Sequence, residues 1–143
     1  MTRYRKGADA ERELIHKLFN LGFSVVRTAG SGSTSLPAPD LIALSREKRL
    51  AFESKAWNAA YLNISNAQME ELQGWCERAD AELYVAWKIP REGWLFLKPE
   101  HFVQTGKNYA ITRKKALSSA LSLSVIAGHQ SKLGLSKPVQ KAL

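Results

Sequence analysis

Little in this chain suits cross-linking, thiolate metal chemistry or membrane insertion. It has one cysteine, Cys76, so neither a disulfide nor a cysteine-based zinc site can form within a single chain; core packing is its expected role. No run approaches the ~20 apolar residues of a membrane span. The charged start MTRYRKGADAERE has no apolar signal segment behind it. A soluble, intracellular protein with no membrane partner is the expectation. Acidic residues are also scarce, 13 against 21 Lys and Arg, and residues 101–143 hold none at all but seven basic ones. Arg3, Arg5 and Lys6 make the other end basic, and the intervening stretch is slightly acidic. Basic ends around a near-neutral body suit a protein that holds phosphate backbones. The plain alternative is ordinary solubilising charge.

What is present describes one compact unit. At 143 residues with 45% apolar content, the chain is long enough for one sizeable core and too short for two. We read residues 1–127 as a single domain and 128–143 as a flexible basic tail. Leu14, Ile15, Leu18 and Leu21 fall at helical spacing and Gly22 is a natural stop, so the pattern predicts a helix over 8–21. Branched and aromatic residues predict strands at 23–29, 40–44 and 49–57. The last two are joined by the polar turn SREK, at a spacing that suits an antiparallel hairpin. Ser65 followed by Gln68 forms a capping box, and Met69, Leu72, Cys76 and Ala79 form one apolar stripe of a second helix. Strands at 81–89 and 93–97 follow. A helix from Thr112 is expected, with the alternating LSLSV leaving a strand open. No internal repeat is visible. Helix, three strands, helix, two strands make an α/β domain with a mixed five-stranded sheet flanked by helices.

The stretch LAFESKAW, residues 50–57, is where chemistry enters. It reads as a buried strand interrupted by Glu53 and Lys55, and residues two apart on a strand point the same way. A carboxylate and an ammonium side by side form either a structural ion pair or half of a site. Glu11 sits on the apolar face of the first helix, and Asp40 opens the strand paired with that of Glu53. Carboxylates brought together repel, and the usual remedies are a proton or a divalent metal. A hard cation such as Mg²⁺, with Mn²⁺ as substitute, takes such oxygen ligands. The chemistry this suggests is metal-assisted phosphodiester hydrolysis, with Lys55 beside the attacking water or the developing charge. His16, His101 and His129 fall outside these segments, so no histidine base is implied. The loop GSGSTS lacks the lysine of a P-loop, which argues against nucleotide binding. Each residue also has a plainer reading: Glu11 bridging to Arg12 or Arg27, Asp40 capping a turn after Pro39, Gln68 as the capping-box residue, and the four tryptophans as core or interface.

PD at 39–40 followed by ESK at 53–55 resembles the PD-(D/E)xK motif of the restriction-endonuclease-like nucleases. With RKGADAERE at the start and VVRTAGS after the first helix, the order of elements over roughly residues 3–100 resembles the archaeal Holliday junction resolvases. The resemblance implies a restriction-endonuclease-like fold and a structure-specific, Mg²⁺-dependent endonuclease that cuts four-way junction DNA in recombination and repair. It implies that Glu11, Asp40 and Glu53 bind metal and that Lys55 and Ser31 share in catalysis. Arg5, Lys6, Arg27 and Ser31 would contact DNA, as would Gln68, since related nucleases often keep a glutamine near the metal. It further implies a homodimer, because a junction of near two-fold symmetry needs two equivalent cuts, in a nucleoid-associated, cytoplasmic setting. We place the dimer contact around GWLFL and leave open a sliding-clamp or helicase partner for the tail. Two other readings stand beside it: a nuclease of the same fold without junction specificity, and a non-catalytic DNA-binding module.

Overall fold

The computed structural model describes residues 3–28 and 36–128; Ser31 and nearly all of the expected tail lie outside them. Helix α1 spans Arg3–Asn20, beginning five residues before the expected start, so Arg5 and Lys6 ride on its exposed first turns. The segment contains no proline, and its Arg, Lys, Ala and Glu residues are good helix formers. Leu14 and Leu18, one turn apart, are completely buried. Gly22 ends the helix with φ 98°, a left-handed conformation that costs glycine little.

Strands β1 Ser24–Arg27, β2 Leu41–Leu44 and β3 Arg49–Ala56 form an antiparallel meander. The expected β2–β3 hairpin is present, and its turn is tied by the Lys48 N–H donating to Ser45 Oγ at 3.1 Å. Strand β4 Tyr61–Ser65 and helix α2 Asn66–Ala79 then carry the chain across to β5 Glu82–Ile89, which pairs parallel with β3. A parallel neighbour requires such a crossover. Strand β6 Gly93–Leu97 returns antiparallel. The order β1-β2-β3-β5-β6 gives the mixed five-stranded sheet that the sequence predicts.

Alternation along β3 sorts its side chains between two layers. Leu50 and Phe52 join Leu14, Leu18, Leu41, Tyr84 and Phe96 beneath α1. Ala51 joins Met69, Leu72, Cys76, Val85 and Trp87 beneath α2. A second sheet, with order β4-β8-β7, was not foreseen; it contains β7 Val103–Gln104 and β8 Asn108–Thr112. Thr112 then caps helix α3 Arg113–Ser119, as expected; of the LSLSV segment, Leu121 makes an isolated antiparallel bridge to Phe96 and the rest enters the one-turn helix α4 Leu123–Ile126. The GWLFL expectation needs correction. Leu95, Phe96 and Leu97 are buried in the chain's own core, and Trp94 stacks on Phe96 with ring centroids 6.1 Å apart, so this strand offers no open apolar patch.

Candidate active site

The site lies at the end of the β2–β3 hairpin away from its turn. The register pairs Leu41 with Phe52, so the next step of the ladder sets Asp40 opposite Glu53, on the α2 side. Asp40 is held from two directions: its Oδ2 accepts the Ser54 N–H at 2.9 Å, and its carbonyl accepts the Thr28 N–H at 3.0 Å. Glu53 is the only buried charged side chain among the described residues, 7% exposed. Gln68, from the first turn of α2, donates its Nε2 to Glu53 Oε2 at 2.9 Å. Lys55 Nζ stands 3.8 Å from the same oxygen.

The capping box is therefore only half built. Ser65 Oγ takes the Gln68 N–H at 3.1 Å as expected. The Gln68 side chain, however, serves the buried carboxylate rather than the helix end, because a buried charge costs far more unpaired than an exposed backbone N–H does. Glu11 reaches the same end of the sheet from the α1 side, where its Oε1 accepts Arg27 Nε at 2.7 Å. This is one of the two ion pairs named as its plainer reading. Among the described residues no three His, Cys, Asp or Glu side chains are gathered closely enough to enclose a metal ion. The structure brings Asp40, Glu53, Lys55 and Gln68 together, with Glu11 engaged alongside by Arg27. Arg5 and Lys6 lie on the exposed start of α1, where Lys6 lines a cavity with Ala56 at the end of β3.

Both carboxyls of the hairpin resist ionisation. Burial is the main cause for Glu53, pushing it up to about 7; the Asp40 and Glu11 charges add to this, while Lys55 and the Gln68 hydrogen bond oppose it. Asp40 is also raised, chiefly by burial and further by Glu11, against the Ser54 N–H, Lys55 and Arg27. Two carboxyl oxygen donors facing each other, each harder to ionise than usual, are a donor set that a hard divalent cation fits, since its charge favours their ionised forms. Ser54 is a contributor that sequence reasoning passed over, and Trp57, read as core or interface and packed against the core, also lies beneath the Lys55 ammonium. Ser54 is marked only as the middle of ESK. Trp57 is marked by alternation, which sets it on the face of Glu53 and Lys55.

The sequence and the fold have known relatives. Residues 2–133 match the family described as archaeal Holliday junction resolvase (Hjc). The chain belongs to that family. One Hjc relative, the crossover junction endodeoxyribonuclease of Archaeoglobus fulgidus, is 34% identical over 123 residues, covering 86% of this chain and 90% of its own length. The enzyme of the same name from Methanocaldococcus jannaschii is 36% identical over 112 residues, covering 78% and 80%. The solved structure of Archaeoglobus fulgidus Hjc, a Holliday junction resolvase, superposes with a TM-score of 0.78 at 32% identity, over 86% of this chain and 96% of that one. The Hjc fold extends to the mixed sheet and flanking helices described above.

Proposed function

We propose that this chain is an endodeoxyribonuclease that resolves four-way DNA junctions, with Asp40, Glu53 and Lys55 carrying the chemistry. The observation behind this reading is the buried Glu53 opposite Asp40, both resisting ionisation, with an ammonium 3.8 Å away. Such a cluster costs stability, and a metal-assisted reaction on an anionic substrate gives it a use. Asp40 and Glu53 would hold Mg²⁺ or Mn²⁺, which supplies polarisation of a phosphoryl oxygen and a water acidic enough to attack. Glu11 joins them once its carboxylate leaves Arg27. Arg27, beside it, takes a DNA phosphate.

The remaining residues bind and orient. Lys55 donates to the attacking water or to a non-bridging phosphate oxygen, offsetting charge that grows in the transition state. Gln68 fixes the orientation of Glu53 through its 2.9 Å hydrogen bond. Arg5 and Lys6 take backbone phosphates, which position the substrate without reading its sequence. Ser31 is kept as a DNA contact on the strength of the family resemblance, and residues 128–143 as a basic tail. Two copies related by a two-fold axis would present two equivalent sites to opposing strands.

The test is divalent-metal-dependent cleavage of a labelled synthetic four-way junction beside its linear duplex, with wild type and Asp40→Asn. Paired symmetric nicks confined to the junction, lost in Asp40→Asn while binding survives, are the expected result. Equal cutting of the duplex would remove the junction specificity. No cutting with any divalent metal would remove the chemistry and leave a DNA-binding module.

A further inference from the structure

We propose that Trp57 is a positioning residue for Lys55, its indole face fixing where the ammonium stands in the nuclease site. The inference rests on the role given to Lys55 above. Trp57 follows β3 directly, and alternation sets it on the face of Glu53 and Lys55. Lys55 Nζ lies over its ring, 5.7 Å from the centroid, within the range where the negative face of an indole attracts a cation. Glu53 Oε2 faces the same ammonium from 3.8 Å. A lysine on its four-carbon stem ordinarily samples many positions. Here a carboxylate and a π face bracket its end.

The tryptophan is itself anchored. Its carbonyl oxygen accepts Trp87 Nε1–H at 3.0 Å. Trp87 is completely buried and is the ladder partner of Lys55 across the parallel β3–β5 pair. The Trp57 ring packs against the core beneath α2, so a position set by the core is passed to the ammonium. The Trp57 indole N–H, by contrast, is buried without a hydrogen-bond partner. A buried donor left unsatisfied costs stability, and phenylalanine or leucine would occupy the place without it. The residue is therefore used here for its ring face and not for its N–H.

The experiment compares full-length wild type, Trp57→Leu and Trp57→Phe. Junction cleavage is read as kcat and KM, and junction affinity is measured separately in EDTA. Loss of the π face should lower kcat by roughly three- to thirty-fold, the rate equivalent of a cation–π contact, with KM and affinity unchanged. Trp57→Phe, which keeps a face and loses the orphaned donor, should recover most of the rate. A Trp57→Leu variant with wild-type kcat, or equal losses in the two variants, would overturn the proposal. Should Trp57→Leu fail to fold, NMR decides: the Lys55 Hε resonances should be ring-shifted upfield in wild type and in Trp57→Phe, and unshifted resonances in wild type would overturn it. Absence of junction cutting by wild type would strike the nuclease reading instead, and the NMR test would still stand.

Discussion

Replacing Glu53 by glutamine tests the electrostatics of the site without DNA. In the metal-free protein the buried carboxyl titrates near 7, whereas in the unfolded chain it titrates near the ordinary 4.5. Below the lower value both states hold the proton and folding loses nothing. As pH rises the unfolded chain releases its proton first, and once pH has passed the upper value the folded state carries a deficit of about 3 kcal/mol. Stability in EDTA should therefore fall as pH rises through this window, the opposite of a salt-bridged carboxylate. Glu53→Gln keeps the shape, cannot ionise, and can still meet Gln68 if one amide turns. The attraction of Lys55, 3.8 Å away, is already contained in that deficit because it opposes the shift. The net gain at pH 8 is then about 3 kcal/mol, or about 1.5 M in the urea midpoint for an ordinary denaturant slope. Urea unfolding followed by tryptophan fluorescence and circular dichroism at pH 4.5 and pH 8 reads it directly. A wild type equally stable at both pH values, or a variant whose advantage persists unchanged at pH 4.5, would refute the reasoning.

Gln68→Ala removes a hydrogen bond that lowers the Glu53 pKa, so the decline of metal-free stability should extend to higher pH while cleavage falls; pH-dependent urea titrations and single-turnover rates check both. Ser65→Ala loses the 3.1 Å cap of α2 and should cost about 1 kcal/mol, seen as a Tm lower by a few degrees. Leu14→Ala empties a fully buried position and should cost about 2–5 kcal/mol, with junction cleavage well below its Tm unchanged.

Local signals accounted for the parts of the fold built from neighbouring residues. The Leu14–Leu18 stripe, the Gly22 stop, the four-residue hairpin turn and the Ser65 cap each carry their cause within a few positions. Because a short turn fixes hairpin register, the meeting of Asp40 with Glu53 was legible too. The small second sheet was not: β7 has two residues, and YLNIS runs straight into the α2 cap, so its alternation had no boundary of its own. The parallel direction of β5 comes from the crossover, which no local pattern encodes. The engagement of Glu11 by Arg27 could only be one of several pairings until β1 was docked against α1. Gln68 showed a conflict between levels, since a local cap and a distant buried charge competed for one amide.

The parallel pairing of β3 with β5 governs when this site comes into being. Asp40 and Glu53 meet in a hairpin that closes locally, but the other edge of β3 is satisfied by β5, whose partners lie some thirty residues further along the chain. Contacts of such separation form late. During synthesis the hairpin would emerge first with β3 as an unpaired edge, its glutamate still open to water and its lysine unbraced by Trp57 and Trp87. Cutting competence is thus tied to completion of the core: a chain interrupted before β5 holds the acidic pair but lacks the dry, ordered setting that makes it dangerous to DNA.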